Sequence, residues 1–123
     1  MNQNQSLGKI GEAIALNFLI NRGYSLLQKN YQTRWGEIDI IVERNHKISF
    51  IEVKTRTNVS HGKPYESVNA AKIFKLIRPI KYFLLQNNYR KYKLSLDVIS
   101  IELNEDYTTN EIKHFENVPV NIT

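Results

Sequence analysis

Apolar residues recur along this chain with two different periods. From about Ser6 to Arg22, Leu7, Ile10, Ile14 and Phe18 fall three or four residues apart, on one stripe of a helix, and Gly23 supplies a terminator. From Gly36 to Glu43 and again from Ile48 to Arg56 the period drops to two, the signature of paired strands. The polar break between them, Arg44-Asn45-His46-Lys47, suits a tight hairpin turn at Asn45-His46, because asparagine tolerates the positive φ such turns need. Tyr24 to Tyr31 reads as a first strand, Thr57 to Val68 as a polar loop holding Gly62 and Pro64, and Asn69 as the cap of a second helix running to about Asn88. Leu76, Ile77, Ile80, Phe83 and Leu84 share one arc of that helix, with Lys75, Arg78 and Lys81 opposite and Pro79 expected to kink it. Tyr92 to Leu103 reads as a further strand and Ile112 to Val118 as a short last one. Helix, strands, helix and strands predict an α/β layered domain with a mixed sheet. At 123 residues, 1–123 is expected to be a single domain.

The hairpin alternation is interrupted at one end by charge. Pairing across Asn45-His46 sets Asp39 against Glu52, Glu37 against Lys54 and Ile41 against Phe50, and leaves Ile38, Ile40, Val42, Ile51 and Val53 as the core face. A slip of one residue would bury Glu52 and Lys54, so the register is well specified. Opposed side chains in a strand pair have Cβ atoms about 4.5–5.5 Å apart. Two carboxylates so placed repel each other, and a divalent cation between them turns the repulsion into a site. Hard cations such as Mg²⁺ prefer such oxygen donors. Lys54, on the same face, can neutralise a phosphate or orient an attacking water. The plain reading is an exposed strand end with a Glu37–Lys54 ion pair. Four such groups at one end of an otherwise apolar hairpin favour a site.

Charge and composition narrow the partners. The net charge is +5, unevenly spread: Lys54 to Lys93 holds ten Lys/Arg and one acid, Glu66, while the remainder is net acidic. A basic segment beside an acidic cluster points to an anionic partner, against the plain alternative of a solvated helix face. With no cysteine, disulfide scaffolds and thiolate metal sites are excluded, which suits the cytoplasm. Neither a signal peptide nor a membrane-spanning run is expected, so no membrane partner is. His46, His61 and His114 are scattered, and no Ser-His-Asp order, nucleotide-binding glycine loop or zinc motif occurs.

Asp39, a short separation, then Glu52-Val53-Lys54 resembles the PD-(D/E)XK nuclease superfamily, without the proline that often precedes the aspartate. Over most of the chain "LGKIGEAIALNFL", "NYQTRWGEIDII", "FIEVKTR", "SVNAAKIFKL", "YKLSLDVISI" and "HFENVPV" are similar, in order, to the bacterial YraN-like family. The order Glu, Asp, Glu-x-Lys is also similar to archaeal Holliday-junction resolvases. The family often has an arginine and an aromatic where this chain has Ser95 and Leu96 before Asp97. The resemblance implies a restriction-endonuclease-like, three-layer domain with a central mixed sheet flanked by helices. It implies a Mg²⁺- or Mn²⁺-dependent endonuclease, with a structured or branched DNA of repair or recombination as substrate and a homodimer as the assembly. The alternative is a catalytically inactive nucleic-acid-binding module of a larger complex.

The same resemblance makes Asp39, Glu52 and the Val53 carbonyl metal ligands, with Lys54 catalytic. Glu12 has Gly8, Ala15, Leu16 and Leu19 as helical neighbours, which is no ordinary solvated face. The resemblance makes it a third acidic ligand and catalytic residue; the alternative is a carboxylate favoured by the helix dipole. Glu37 is either a salt-bridge partner or a support behind the ligands. Arg34, Arg56, Lys72, Lys75, Arg78 and Lys81 are the expected nucleic-acid contacts, with Lys72 balanced against a snorkelling lysine. Trp35 could stack on a base but reads more readily as a structural anchor, and Asp97 as a buried, hydrogen-bonded acid.

Overall fold

The computed structural model describes residues 3–57 and 73–119. The expected loop beyond Thr57 and the Asn69 cap lie outside those residues. The described elements are α1 (Gln3–Asn21), β1 (Ser25–Thr33), β2 (Gly36–Arg44), β3 (Lys47–Thr57), α2 (Ile77–Gln86), β4 (Lys93–Leu103) and β5 (Thr109–Phe115). The strands form one sheet in chain order, with every neighbouring pair antiparallel except β3 and β4, which run parallel. The fold is α/β with a mixed sheet, as the alternation of periods predicts.

Alternate strand residues feed two cores. On one face Ile40, Val42, Ile51, Ile99, Ile101 and Leu103 pack under α1; on the other Ile41, Ile48, Phe50 and Leu96 pack with Phe83 of α2 and with Leu76 and Ile73. Two helices on opposite faces make three layers, compatible with a restriction-endonuclease-like domain. The α1 stripe is real but shifted. Ala15 and Leu19 are fully buried, whereas Ile10, Ile14 and Phe18 are only partly so. Small residues, Gly11 and Ala15, face the sheet, and the branched residues flank them. Burying a side chain such as Leu19 contributes about 1.5–3 kcal/mol.

Local chemistry fixes the element ends. Gly23, at φ +89°, closes α1 with paired bonds from Gly23 N to Ile20 O and from Tyr24 N to Leu19 O, the pattern of a glycine-terminated helix. Asn45 and His46 both take positive φ, the hairpin turn expected, and set Arg44↔Lys47 and Ile40↔Ile51 as predicted. The second helix differs from expectation. The chain turns at Lys75 and Leu76, and a new helix starts at Ile77. Pro79 thus lies in a first turn, where its missing N–H leaves no helical bond unmade, instead of kinking an interior. No helix among the described residues is long and apolar enough to cross a membrane.

Candidate metal centre

The strand end that carries the charge is also where the sheet opens. Pairing of β2 with β3 runs from Arg44↔Lys47 to Ile40↔Ile51 and stops. β2 remains paired to β1 as far as Gly36, and β3 to β4 as far as Thr57. At the opening the Asp39 carboxylate takes over from the backbone: Val53 N–H donates to Asp39 Oδ2 at 2.8 Å. The Val53 carbonyl leaves β3 on the same side as that N–H. The alternation breaks here too. Ile38 joins the core under α2 while Ile40 joins the core under α1, so the expectation that both share one face is corrected. Asp39 sits at the change of face and does not oppose Glu52 in a regular ladder.

Helix α1 brings the second carboxylate. Gly11 lies so close to β3 that an added Cβ would overlap the Thr55 side chain. That contact presses the next residue, Glu12, toward the opening. Carboxylate oxygens of Glu12, Glu37 and Asp39 all lie within 4.8 Å of one another. Glu37 therefore belongs to the cluster and does not pair with Lys54, whose Nζ lies 3.4 Å from Glu52 Oε1. One partner escaped the sequence reading. Asn30 lies in β1 at the register position across from Asp39, between Lys29↔Ile40 and Tyr31↔Ile38, with φ at +52°. With its amide nitrogen turned inward it donates to Glu12 Oε2 at 3.1 Å and Glu37 Oε1 at 3.3 Å; the other orientation would set its oxygen against both acceptors. An asparagine inside a strand pattern was the available signal.

The electrostatics follow from this crowding. Burial, then the charge of Glu52, then those of Glu12 and Glu37 push Asp39 up to about 7, against the pull of the Val53 N–H. Burial likewise raises Glu12, with Glu37 and Glu52 adding to it and Lys29 and Lys9 partly offsetting it. Glu52 stands outside the group of three, yet its charge reaches both. This is a set of hard oxygen donors short of positive charge, which suits a hard divalent cation.

Other expected residues fall around the opening or away from it. Arg34, Lys75, Arg78 and Lys81 are exposed, and Arg56 is half-buried on β3. Lys72 lies outside the described residues. Asp97 is fully buried on β4, as the reading of a hydrogen-bonded acid requires. It accepts from Ser95 Oγ and Asn117 N and lies 2.8 Å from His114 Nε2. Burial pushes Asp97 up, but the bonds from His114, Ser95 and Asn117 together outweigh it and hold the carboxyl below its usual range. His114, expected to be isolated, is its principal partner.

The family model "Uncharacterised protein family UPF0102" matches residues 11–101, a span that begins at Gly11 and takes in Glu12, Asp39, Glu52, Lys54 and Asp97. The chain belongs to the UPF0102 family. Within it, the chain is 42% identical over 113 residues to a UPF0102 protein of Clostridium tetani, covering 89% of this chain and 93% of the relative. It is 43% identical over 116 residues to one of Clostridium novyi (92% and 97% covered) and 36% identical over 114 residues to one of Caldanaerobacter subterraneus subsp. tengcongensis (92% and 93%). The UPF0102 relatives are thus matched over nearly their full length, with the acidic cluster inside the matched region.

Proposed function

We propose that this UPF0102 protein is a divalent-metal-dependent endonuclease of the PD-(D/E)XK type, cleaving phosphodiester bonds of DNA. The observation that carries the reading is the convergence of Glu12, Glu37 and Asp39 at the opened end of β2 and β3, with Asp39 pushed up to about 7 by burial and by the neighbouring carboxylates. Acids raised by burial and by their neighbours, as Asp39 and Glu12 are, cluster at functional sites. Asp39 and Glu12 would hold Mg²⁺ or Mn²⁺, together with Glu52, the Val53 carbonyl and Glu37. A metal bound there supplies charge against the phosphoryl oxygens and an acidified water.

The chain's own groups would do the rest. Val53 N–H fixes one oxygen of Asp39 and leaves the other free to point into the opening. Asn30 holds Glu12 and Glu37 in place. Lys54, tethered to Glu52, would place its ammonium where negative charge grows on the phosphate as the attacking water adds. Exposed Lys75, Arg78 and Lys81 would contact the phosphate backbone.

The test is a cleavage assay on single-stranded, duplex, flapped and four-way DNA with Mg²⁺ and with Mn²⁺. Cleavage of at least one substrate is expected, lost with EDTA and in Asp39→Ala, Glu52→Ala and Lys54→Ala. Binding without cleavage would make the protein an inactive nucleic-acid-binding module. Undiminished cleavage by Asp39→Ala would move the chemistry elsewhere.

A further inference from the structure

The β1–β2 turn presents Arg34 and Trp35 at the same end of the sheet as the acidic cluster. Thr33 Oγ1 closes the turn, donating to Gly36 O at 2.9 Å and accepting from Trp35 N–H at 3.1 Å. Gly36 then abuts the first turn of α2, where an added Cβ would stand 3.5 Å from Pro79 Cγ. The turn thus lies close beside α2. The Trp35 and Tyr82 ring centroids lie 5.5 Å apart, with planes inclined at 57°.

Trp35 does not serve as the anchor its type suggests. It is 40% exposed, and neither core cluster contains it. The Arg34 guanidinium sits 5.4 Å from its ring centroid. Arg78, Lys81 and Leu85 complete a shallow hollow of about 260 Å³ beside the two rings, and no carboxylate among the described residues lines it. A hollow with aromatic walls and a cationic rim fits a ligand with a flat apolar face and nearby negative charge. A nucleotide has both. In a duplex the base faces are already stacked on their neighbours, so only an unpaired base can offer one.

We propose that Trp35 and Tyr82 form a stacking platform for an unpaired base of single-stranded nucleic acid, with Arg34, Arg78 and Lys81 holding the flanking phosphates. Trp35 precedes Asp39 by four residues of extended chain, a reach of about 13 Å. The platform therefore stands beside the opened strands, and this inference rests on the nuclease reading of that opening. It names the substrate class: a strand with unpaired bases next to the scissile phosphate.

Trp35 is the single tryptophan of the chain, so emission excited at the red edge of the absorption band, where the seven tyrosines hardly absorb, reports on it alone. The experiment is run in EDTA, where no cleavage competes. Three dye-labelled probes are titrated into the protein: an oligo-dT strand, an abasic strand of equal length that keeps the phosphates but lacks the bases, and a blunt duplex. Anisotropy reads binding, and tryptophan emission reads stacking. The dT strand should quench Trp35, and the abasic strand and duplex should quench it little. Trp35→Ala should weaken binding of the dT strand by roughly 5- to 150-fold, the range of base–aromatic stacking per base. Binding of the abasic strand should barely change. Trp35→Phe should keep most of the affinity and Trp35→Leu should not, a split that a merely space-filling role would not produce.

Binding of the dT strand with unchanged emission, or with Trp35→Ala within twofold of the parent, would overturn the platform and leave the nuclease reading to its own assay. Equal quenching by duplex and single strand would also overturn it. Quenching as expected in a protein that cleaves nothing with Mg²⁺ would sustain the platform and sink the nuclease reading.

Discussion

Replacing Asp39 by asparagine distinguishes a cation site from an ordinary structural acid without any assay of activity. The substitution keeps an oxygen that can accept the Val53 N–H bond, so the opened end of the sheet retains its link between β2 and β3. It removes the charge that burial, Glu52, Glu12 and Glu37 all disfavour. The Asp39 carboxyl rises from 3.8 to about 7. At about 1.36 kcal/mol per pKa unit, the ionised group costs the fold about 4 kcal/mol at most.

The sign follows from proton binding. Between about pH 4 and pH 7 the folded protein holds the Asp39 proton and the unfolded chain has lost it, so metal-free stability falls as pH rises through that window and levels off above it. Asp39→Asn lacks this loss. In EDTA at pH 8 it should melt above the parent, by on the order of 10 °C, and the gap should close toward pH 4. Mg²⁺ or Mn²⁺ should narrow the gap, and close it only near a thousandfold excess over Kd, where binding contributes about 4.1 kcal/mol. A cation at about a hundredfold excess over its Kd stabilises the parent by about 2.7 kcal/mol and the variant by little. Below pH 7 it must displace the Asp39 proton, so its effect should fade as pH drops. Melting curves across pH 4–9, with EDTA and with metal titrated in, decide the matter. An Asp39→Asn protein less stable than the parent in EDTA at pH 8, together with a parent indifferent to metal, would refute the site.

Three further outcomes test the surroundings. Gly11→Ala should force α1 off Thr55 at a cost of roughly 1–3 kcal/mol, offset in part by alanine's better helix propensity, and should blunt the metal-induced rise in melting temperature by moving Glu12. Asp97→Ala should cost about 1–3 kcal/mol for each buried donor left without an acceptor among Ser95 Oγ, His114 Nε2 and Asn117 N, yet leave the metal response intact. Because the folded Asp97 carboxyl is held low, its contribution should be present above about pH 4 and fail on further acidification, and acid melts of the variant should lack that step. Neutralising Lys75, Arg78 and Lys81 together should flatten the plot of log affinity for duplex DNA against log salt, by about 0.9 for each phosphate that is no longer neutralised; an unchanged slope would make that helix face merely solvated.

The order of elements and the hairpin register were legible because each rests on a local signal: a period, a glycine terminator, a turn whose residues take positive φ. Asp39, Glu52, Lys54 and Glu12 could be singled out because charge interrupts apolar patterns that would otherwise continue. The change of face at Asp39 was not legible. It depends on β3 leaving β2 to follow β4, a competition between two partners that neither strand's own sequence encodes. Asn30 was missed for the same reason, since its worth comes from the residue across the ladder. The Glu37–Lys54 pair failed because it assumed a ladder that ends at Ile40↔Ile51. The real break before Pro79 was misplaced because a proline suits a first turn as well as it kinks an interior.

Two groups among the described residues bring three metal-capable side chains within 4.8 Å: Glu12, Glu37 and Asp39, and Asp97, His114 and Glu116. Geometry does not separate them, but proton affinity does. Asp97 already faces hydrogen bonds from Ser95, Asn117 and a histidine, and Glu116 accepts from the Tyr24 hydroxyl at 3.3 Å with Lys47 nearby. The Asp97 carboxyl is held low because the positive ends it needs are supplied by the protein. A cation there would have to break those bonds to gain what the acid has. Asp39 has the Val53 N–H and three neighbouring carboxylates, and its proton is held to about pH 7 by burial and by the charges of Glu52, Glu12 and Glu37. The same physics that makes the second group a closed structural knot leaves the first a group of acids that could hold a metal ion, and for that reason the metal response is expected to follow Asp39 and not Asp97.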